Sequence, residues 1–178
     1  MNLRCWLCVA LLGISGFSGG CAREISLPRQ HAEQTFTAQF GARLTWAGHS
    51  LPVQGAVQME KGEGSLVLIL PYGRTFGHCR YAAATGQARQ NMLVMTCVPA
   101  TGQNAGAQRL LRHAGRAVYR MLPGMLSGED LRGGREPWEA RFFRDEETLC
   151  AQYAEEGGFG MDMRFASLPE KNSNRLQP

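Results

Sequence analysis

The stretch TFTAQFGARLTW, residues 35–46, decides the fold. Phe36, Ala38, Phe40, Ala42, Leu44 and Trp46 are apolar, and the residues between them are polar or small. A helix turns about 100° per residue and would scatter such a pattern around its surface, whereas a strand puts every second side chain on one face. The segment therefore reads as a long strand with one buried side.

The same period continues downstream. Ala47-Gly48-His49 makes a turn, and Leu51, Val53, Val57 and Met59 alternate with mostly polar neighbours in a second strand. Pro52 places its own position at an edge or a strand start, because proline has no N–H to give to a ladder. After a turn at residues 61–64 comes the continuous run LVLIL, residues 66–70, which predicts a strand covered on both faces. Pro71 and Gly73 bracket a tight connection into the strand 75–81. If the next hairpin is centred on Ala88, Cys79 faces Cys97, Tyr81 faces Met95 and Ala83 faces Leu93. The opposite face then pairs His78, Arg80 and Ala82 with Val98, Thr96 and Val94. That register buries one side consistently. It also brings Cys79 and Cys97 within the Cα separation of a disulfide, the alternative being two buried thiols.

Residues 108–122 change period. Leu110, Leu111, Ala114, Val118, Met121 and Leu122 form one helical stripe, with Arg109, Arg112, Arg116 and Arg120 on the other side. Pro123-Gly124 predicts the helix stop. The basic face fits contact with lipid head groups, or an ordinary solvated surface. MLPGML, residues 121–126, reads as an exposed insertion or docking loop, or one that packs back. Trp138, Ala140 and Phe142 alternate again. Residues 146–156 fit a short helix slightly better than a strand. Phe159, Met161, Met163 and Phe165 make a closing strand.

The chain has 178 residues, 44% hydrophobic and 19% charged, enough for one folded domain. The N-terminus stands apart from it. Arg4 precedes an uncharged run, CWLCVALLGISGF at residues 5–17, then Ser18-Gly19-Gly20-Cys21. The run is too short to span a bilayer, which takes about 20 apolar residues, and has the length of a leader's apolar region. The arrangement resembles the bacterial lipoprotein signal, with Ser18 where a Leu is usual. That resemblance implies a signal peptide over 1–20, an acyl-bearing Cys21 (palmitate or a similar chain) and, from Ala22, sorting to the outer membrane facing the periplasm. Residues 21–34 then form a tether, 35–166 the domain and 167–178 a disordered tail. Removing the leader leaves 18 basic against 15 acidic residues, about +3, too little to indicate nucleic acid. Cys79, Cys97 and Cys150 would sit in an oxidising compartment, Cys150 as a buried leftover.

No catalytic motif is present. His31, His49, His78 and His113 lack metal-ligand spacing, and neighbouring His78 and Cys79 point to opposite faces of a strand. Residues 62–65 read as a turn rather than a binding loop. Asp145-Glu146-Glu147 reads as a carboxylate site or, more commonly, a solvated turn. No metal or other cofactor is expected. Phe36, Phe40, Trp46, Met59, Met95, Met121, Met161 and Phe165 are candidates for lining a hydrophobic cavity, because Met-rich surfaces adapt to irregular ligands; the same residues make an ordinary core.

The order of elements, and above all SLVLILPYGRTFGHCRY at residues 65–81, is similar to the LolA/LolB-like periplasmic carriers and outer-membrane lipoproteins. Over residues 35–165 the resemblance implies an α+β, mainly antiparallel fold: an unclosed β-barrel around a hydrophobic cavity, covered by helix. It transfers no functional residue, since the LolB-type protruding loop is replaced by a tight connection at Tyr72-Gly73. The expected function is binding of an acyl chain or other hydrophobic ligand. The alternative is a protein-interaction scaffold of the envelope. An enzyme would need polar groups converging near His78 or His49.

Overall fold

The computed structural model describes residues 24–28, 35–60, 63–85, 92–100, 104–134 and 136–166. The leader 1–20, the lipidation candidate Cys21 and the tail 167–178 lie outside them, as does His31.

The deciding stretch is strand β2, Phe36–Trp46, and its side chains alternate buried and exposed as far as Leu44. It turns through Ala47 and Gly48, both at positive φ (50° and 77°), into β3, His49–Glu60. Two left-handed residues match the twist of the flanking strands, which is why Gly48 suits the second position. β4 (Glu63–Ile69), β5 (Thr75–Ala83) and β6 (Met92–Pro99) continue the meander. The β5–β6 register pairs Cys79 with Cys97, Tyr81 with Met95 and Ala83 with Leu93.

Helix α1, Ala105–Ser127, follows, then β7 (Leu131–Arg132), β8 (Trp138–Asp145), β9 (Thr148–Glu155) and β10 (Phe159–Phe165). β10 returns to pair with β2, Met161 opposite Leu44. A short strand β1, Ile25–Pro28, pairs with β6. The single antiparallel sheet has the order β1-β6-β5-β4-β3-β2-β10-β9-β8-β7 and is not closed, leaving β1 and β7 as its edges. Helix α1 touches β5 and β6 towards one edge and β8, β9 and β10 towards the other. The sheet therefore curls around the helix.

Leu111, Ala114, Ala117, Val118, Met121 and Met125 of α1 are buried against the concave side. Each large apolar side chain there contributes about 1.5–3 kcal/mol by leaving water. Gly115 allows the close approach: a Cβ at that position would lie 2.8 Å from Cys79 Sγ and 2.9 Å from Met95 Sδ. Cys79 and Cys97 are joined in a disulfide with Cα atoms 4.0 Å apart, and Cys150 is a buried free thiol. The Tyr81 hydroxyl, fully buried, donates to the Gly115 carbonyl at 2.8 Å, and burial holds its pKa above the ordinary phenol value.

Several expectations need correction. The helix does not stop at Pro123-Gly124. It runs to Ser127 and ends at Gly128, whose φ is 76° and whose N–H donates to the Gly124 carbonyl at 2.7 Å. Packing outweighs the proline penalty, because Met121, Leu122 and Met125 are all buried. MLPGML is thus the last part of a packed helix, and only Leu126 is exposed. Residues 146–156 hold strand β9, not a helix. Leu149, Cys150 and Ala151 are buried in succession, which hides the strand period. Part of the expected tether is strand β1: Leu27 is buried opposite Leu93. β4 is covered on one face only, with Leu66 and Leu68 buried and Val67 and Ile69 partly exposed. Pro52 sits inside β3 before the β4 ladder begins at Gln54, so only one side of it is paired.

Candidate functional site

The eight residues expected to line a cavity do share the concave side. Phe36, Phe40, Met59, Met95, Met121, Met161 and Phe165 are each 4% exposed or less, and Trp46 packs at their margin. Phe40 meets Phe165 with ring centroids 6.0 Å apart. All but Trp46 belong to the one core cluster that the sheet and α1 share. Among the described residues the concave interior is filled by the domain's own side chains.

Open space lies at the unclosed edge instead. A cleft of about 460 Å³ separates β1 from β7. Ile25, Leu27 and Pro28 form one wall, Arg132, Gly133 and Gly134 the other, with Tyr119 and Trp138 supplying aromatic surface. Tyr119 donates to the Pro28 carbonyl at 2.9 Å and fixes the β1 wall to the helix.

Arg116 and Arg120 also line this cleft, one turn apart on α1. The four arginines of the expected basic face therefore divide. Arg109 is exposed with its guanidinium 5.9 Å from the centre of the Trp46 ring. Arg112 Nε reaches the Gln108 carbonyl at 3.4 Å. Arg116 and Arg120 are mostly covered and face acids delivered by the sheet. Glu136 of the β7–β8 connection takes Arg120, and Arg116 at 3.4 Å. Glu155 at the end of β9 takes Arg120 at 3.5 Å and pairs with His113. Arg120 also donates to the Tyr153 hydroxyl at 2.9 Å and stands 5.4 Å over the Trp138 ring. Arg116 Nε is buried and has no hydrogen-bond partner among the described residues.

The charges are held by this network. The hydrogen bond from Arg120, ahead of a smaller opposing effect of burial, keeps the Glu136 carboxyl below its ordinary pKa. Burial alone would raise Glu155, but His113, Arg116 and Arg120 together outweigh it and the net shift is downward. Burial works against the Arg120 charge, yet its bonds to Tyr153 and Glu136 raise its pKa overall. Burial pushes the Tyr153 phenol up to about 12 against the opposing Arg120 bond. The cleft thus carries an apolar wall and a permanently charged end.

Glu136, Trp138, Tyr153 and Glu155 were not singled out by sequence reasoning. Glu155 lies 42 residues from His113 and 35 from Arg120, so no local spacing connects them. Other candidate positions stay apart. His49 and His78 are exposed, and no group of three potential metal ligands occurs among the described residues. Glu146, with φ 56°, sits in the β8–β9 turn, and Asp145 pairs with Arg164 at 2.9 Å on the surface. The turn expected over residues 62–65 is not one from Glu63 onward: Glu63, Gly64 and Ser65 are already paired with β3 in β4, and the Glu63 carboxylate accepts from the Ala83 amide at 3.3 Å. No protein-family model matches the chain, and no curated protein matches it.

Proposed function

We propose that the chain is a non-enzymatic envelope lipoprotein, anchored through Cys21 in the outer membrane facing the periplasm, that binds an acyl chain or other apolar ligand. The binding place we favour is the cleft at the unclosed edge of the sheet, not the filled concave interior. The observation that carries this reading is the cleft itself, in which Ile25, Leu27, Tyr119 and Trp138 border the same space as three guanidinium groups. Apolar surface left open beside a few convergent polar groups is the usual make-up of a ligand site.

The position of the anchor supports it. Ile25 lies four positions after Cys21, so at full extension the first cleft residue stands within about 14 Å of the lipidated cysteine. A ligand drawn from the membrane surface would meet this edge first.

The test uses the chain from residue 21 onward with C21S, purified without detergent. Extraction followed by mass spectrometry should release an acyl lipid, and a fluorescent fatty acid should bind and be displaced. Absence of both sinks the reading. Lipidation is checked separately: labelled palmitate should enter the wild-type full chain and not C21A.

A protein-interaction scaffold is the second reading. It is favoured by the filled interior together with exposed Tyr72 and Phe143, on the β4–β5 turn and on β8. Envelope proteins cross-linked at Phe143 and lost on F143S, without any lipid bound at the cleft, would select it.

A further inference from the structure

We propose that Arg116 and Arg120 form a subsite for an anionic head group, and that Glu136 of the same protein occupies it as a replaceable internal anion. The ligand class is an amphiphile carrying one carboxylate or phosphate on an apolar chain. This rests on the cleft reading and assigns its polar end.

The ion pairs are lopsided. The Arg120 and Arg116 side chains are 14% and 23% exposed, while that of Glu136 is 65% exposed. Glu136 also lies in the short connection after Gly133 and Gly134, outside any strand. An anion so placed is held by the arginines without being fixed by packing. Exposed ion pairs of this kind are weak and are screened by salt.

Arg120 does not depend on Glu136 alone. Glu155 and Tyr153 hold it from the sheet side, so its position and much of its pairing survive if Glu136 swings away. Glu155, in turn, is only 10% exposed and also bonded to His113. The two acids therefore differ in kind: Glu155 positions the cation, and Glu136 answers it at the cleft mouth.

Arg116 is under-used. One Nη reaches Glu136 at a long 3.4 Å, and Nε, buried, has no partner among the described residues. Buried donors in folded proteins are ordinarily satisfied, and an orphan calls for an explanation. A guanidinium can offer two parallel N–H donors to two oxygens of a carboxylate or phosphate, and Glu136 engages Arg116 through a single Nη. Arg132 adds a third cation on the β7 wall, so the lining holds three guanidinium groups against one carboxylate. Ile25, Leu27 and Trp138 line the same space and would take the chain of the amphiphile.

The test measures binding of dodecyl phosphate, dodecanol and inorganic phosphate to the chain from residue 21 with C21S, to E136Q and to R116Q, with circular dichroism as the folding check. E136Q should bind dodecyl phosphate roughly two- to fivefold more tightly, the competition an exposed ion pair supplies. R116Q should bind it roughly tenfold more weakly. Dodecanol should change with neither variant. Equal binding of dodecanol and dodecyl phosphate, indifferent to E136Q and R116Q, overturns the subsite and leaves the apolar cleft standing. Phosphate binding that follows the two variants, with neither amphiphile bound, upholds the subsite and overturns the acyl-ligand reading. No binding of any probe overturns both.

Discussion

The Tyr119 hydroxyl donates to the Pro28 carbonyl across 91 residues of sequence, joining the middle of α1 to the last residue of the edge strand β1. Tyr119 is 2% exposed, and its ring stacks on Tyr81 at 5.6 Å, which itself is bonded to Gly115. The four-residue strand β1 is thereby locked to the helix as well as to β6, and the cleft keeps its wall.

Tyr119→Phe should keep the stacked ring and lose the tie. Pro28 is exposed enough for water to replace the donor, so the expected cost is about 0.5–1.5 kcal/mol, read as a lower urea midpoint with unchanged slope. Hydrogen exchange at the β1 amides should accelerate more than exchange in β5. Uniform protection across both strands would mean that β1 is held by its ladder to β6 alone.

Gly115→Ala sets two effects against each other. Alanine in a helix interior gains about 1 kcal/mol over glycine. The added methyl, however, would meet Cys79 Sγ at 2.8 Å and Cys97 Sγ at 3.3 Å, and a disulfide between two paired strands cannot step aside. Overpacking of about 1–3 kcal/mol should win, so the oxidised variant melts lower. In a C79A/C97A background the space reopens and the same change should be neutral or stabilising. That background itself should lose about 3 kcal/mol for a bridge closing 18 residues. Non-reducing peptide mapping should recover the peptides of Cys79 and Cys97 linked. A melting penalty for Gly115→Ala that persists in full without the cysteines would show that the clash lies elsewhere.

These relationships differ in how far the chain announces them. The period of Phe36 to Trp46 states a one-sided strand directly, because backbone geometry converts alternation into a face. The Cys79–Cys97 register is legible for a related reason: a hairpin centred on Ala88 keeps Tyr81, Met95 and Leu93 on one side and sets the two cysteines opposite each other. β1 is not legible, since four residues are too few to show a period and its partner β6 is far away in sequence. β9 is obscured by Cys150, buried on the face opposite Leu149 and Ala151. The charged end of the cleft is the least legible. Arg116 and Arg120 stand out as a helical stripe, but Glu136 and Glu155 are supplied by separate parts of the sheet, and only folding shows which way the stripe points.

Pro123→Ala should stabilise the protein. Pro123 sits inside α1 and lacks the N–H that the helix ladder calls for there, yet the helix continues for four more residues because Met125 is buried. Alanine keeps the apolar surroundings and restores the donor. The expected gain is about 1–3 kcal/mol in the denaturation midpoint. A loss would mean that the proline ring itself packs in a way the methyl cannot replace.

The acid limb of stability should belong to Glu155. Its folded pKa lies below the ordinary 4.5, as does that of Glu136. A depressed carboxylate contributes stability above its unfolded pKa and loses it as pH falls through the folded value. The urea midpoint should therefore decline as pH drops below 4.5, with no contribution from these two groups to any change above it. Glu155 is largely covered and bonded to His113 and Arg120, whereas Glu136 is exposed and screened, so the two should not weigh equally. E155Q should lower the midpoint at neutral pH, because Arg120 loses its covered counter-charge and His113 its carboxylate partner, and it should also flatten the decline towards pH ~3. E136Q should alter both only slightly. The experiment is a urea series for wild type and both variants from neutral pH to about pH 3. An acid slope identical in wild type and E155Q would place the titrating groups outside the Arg120 network.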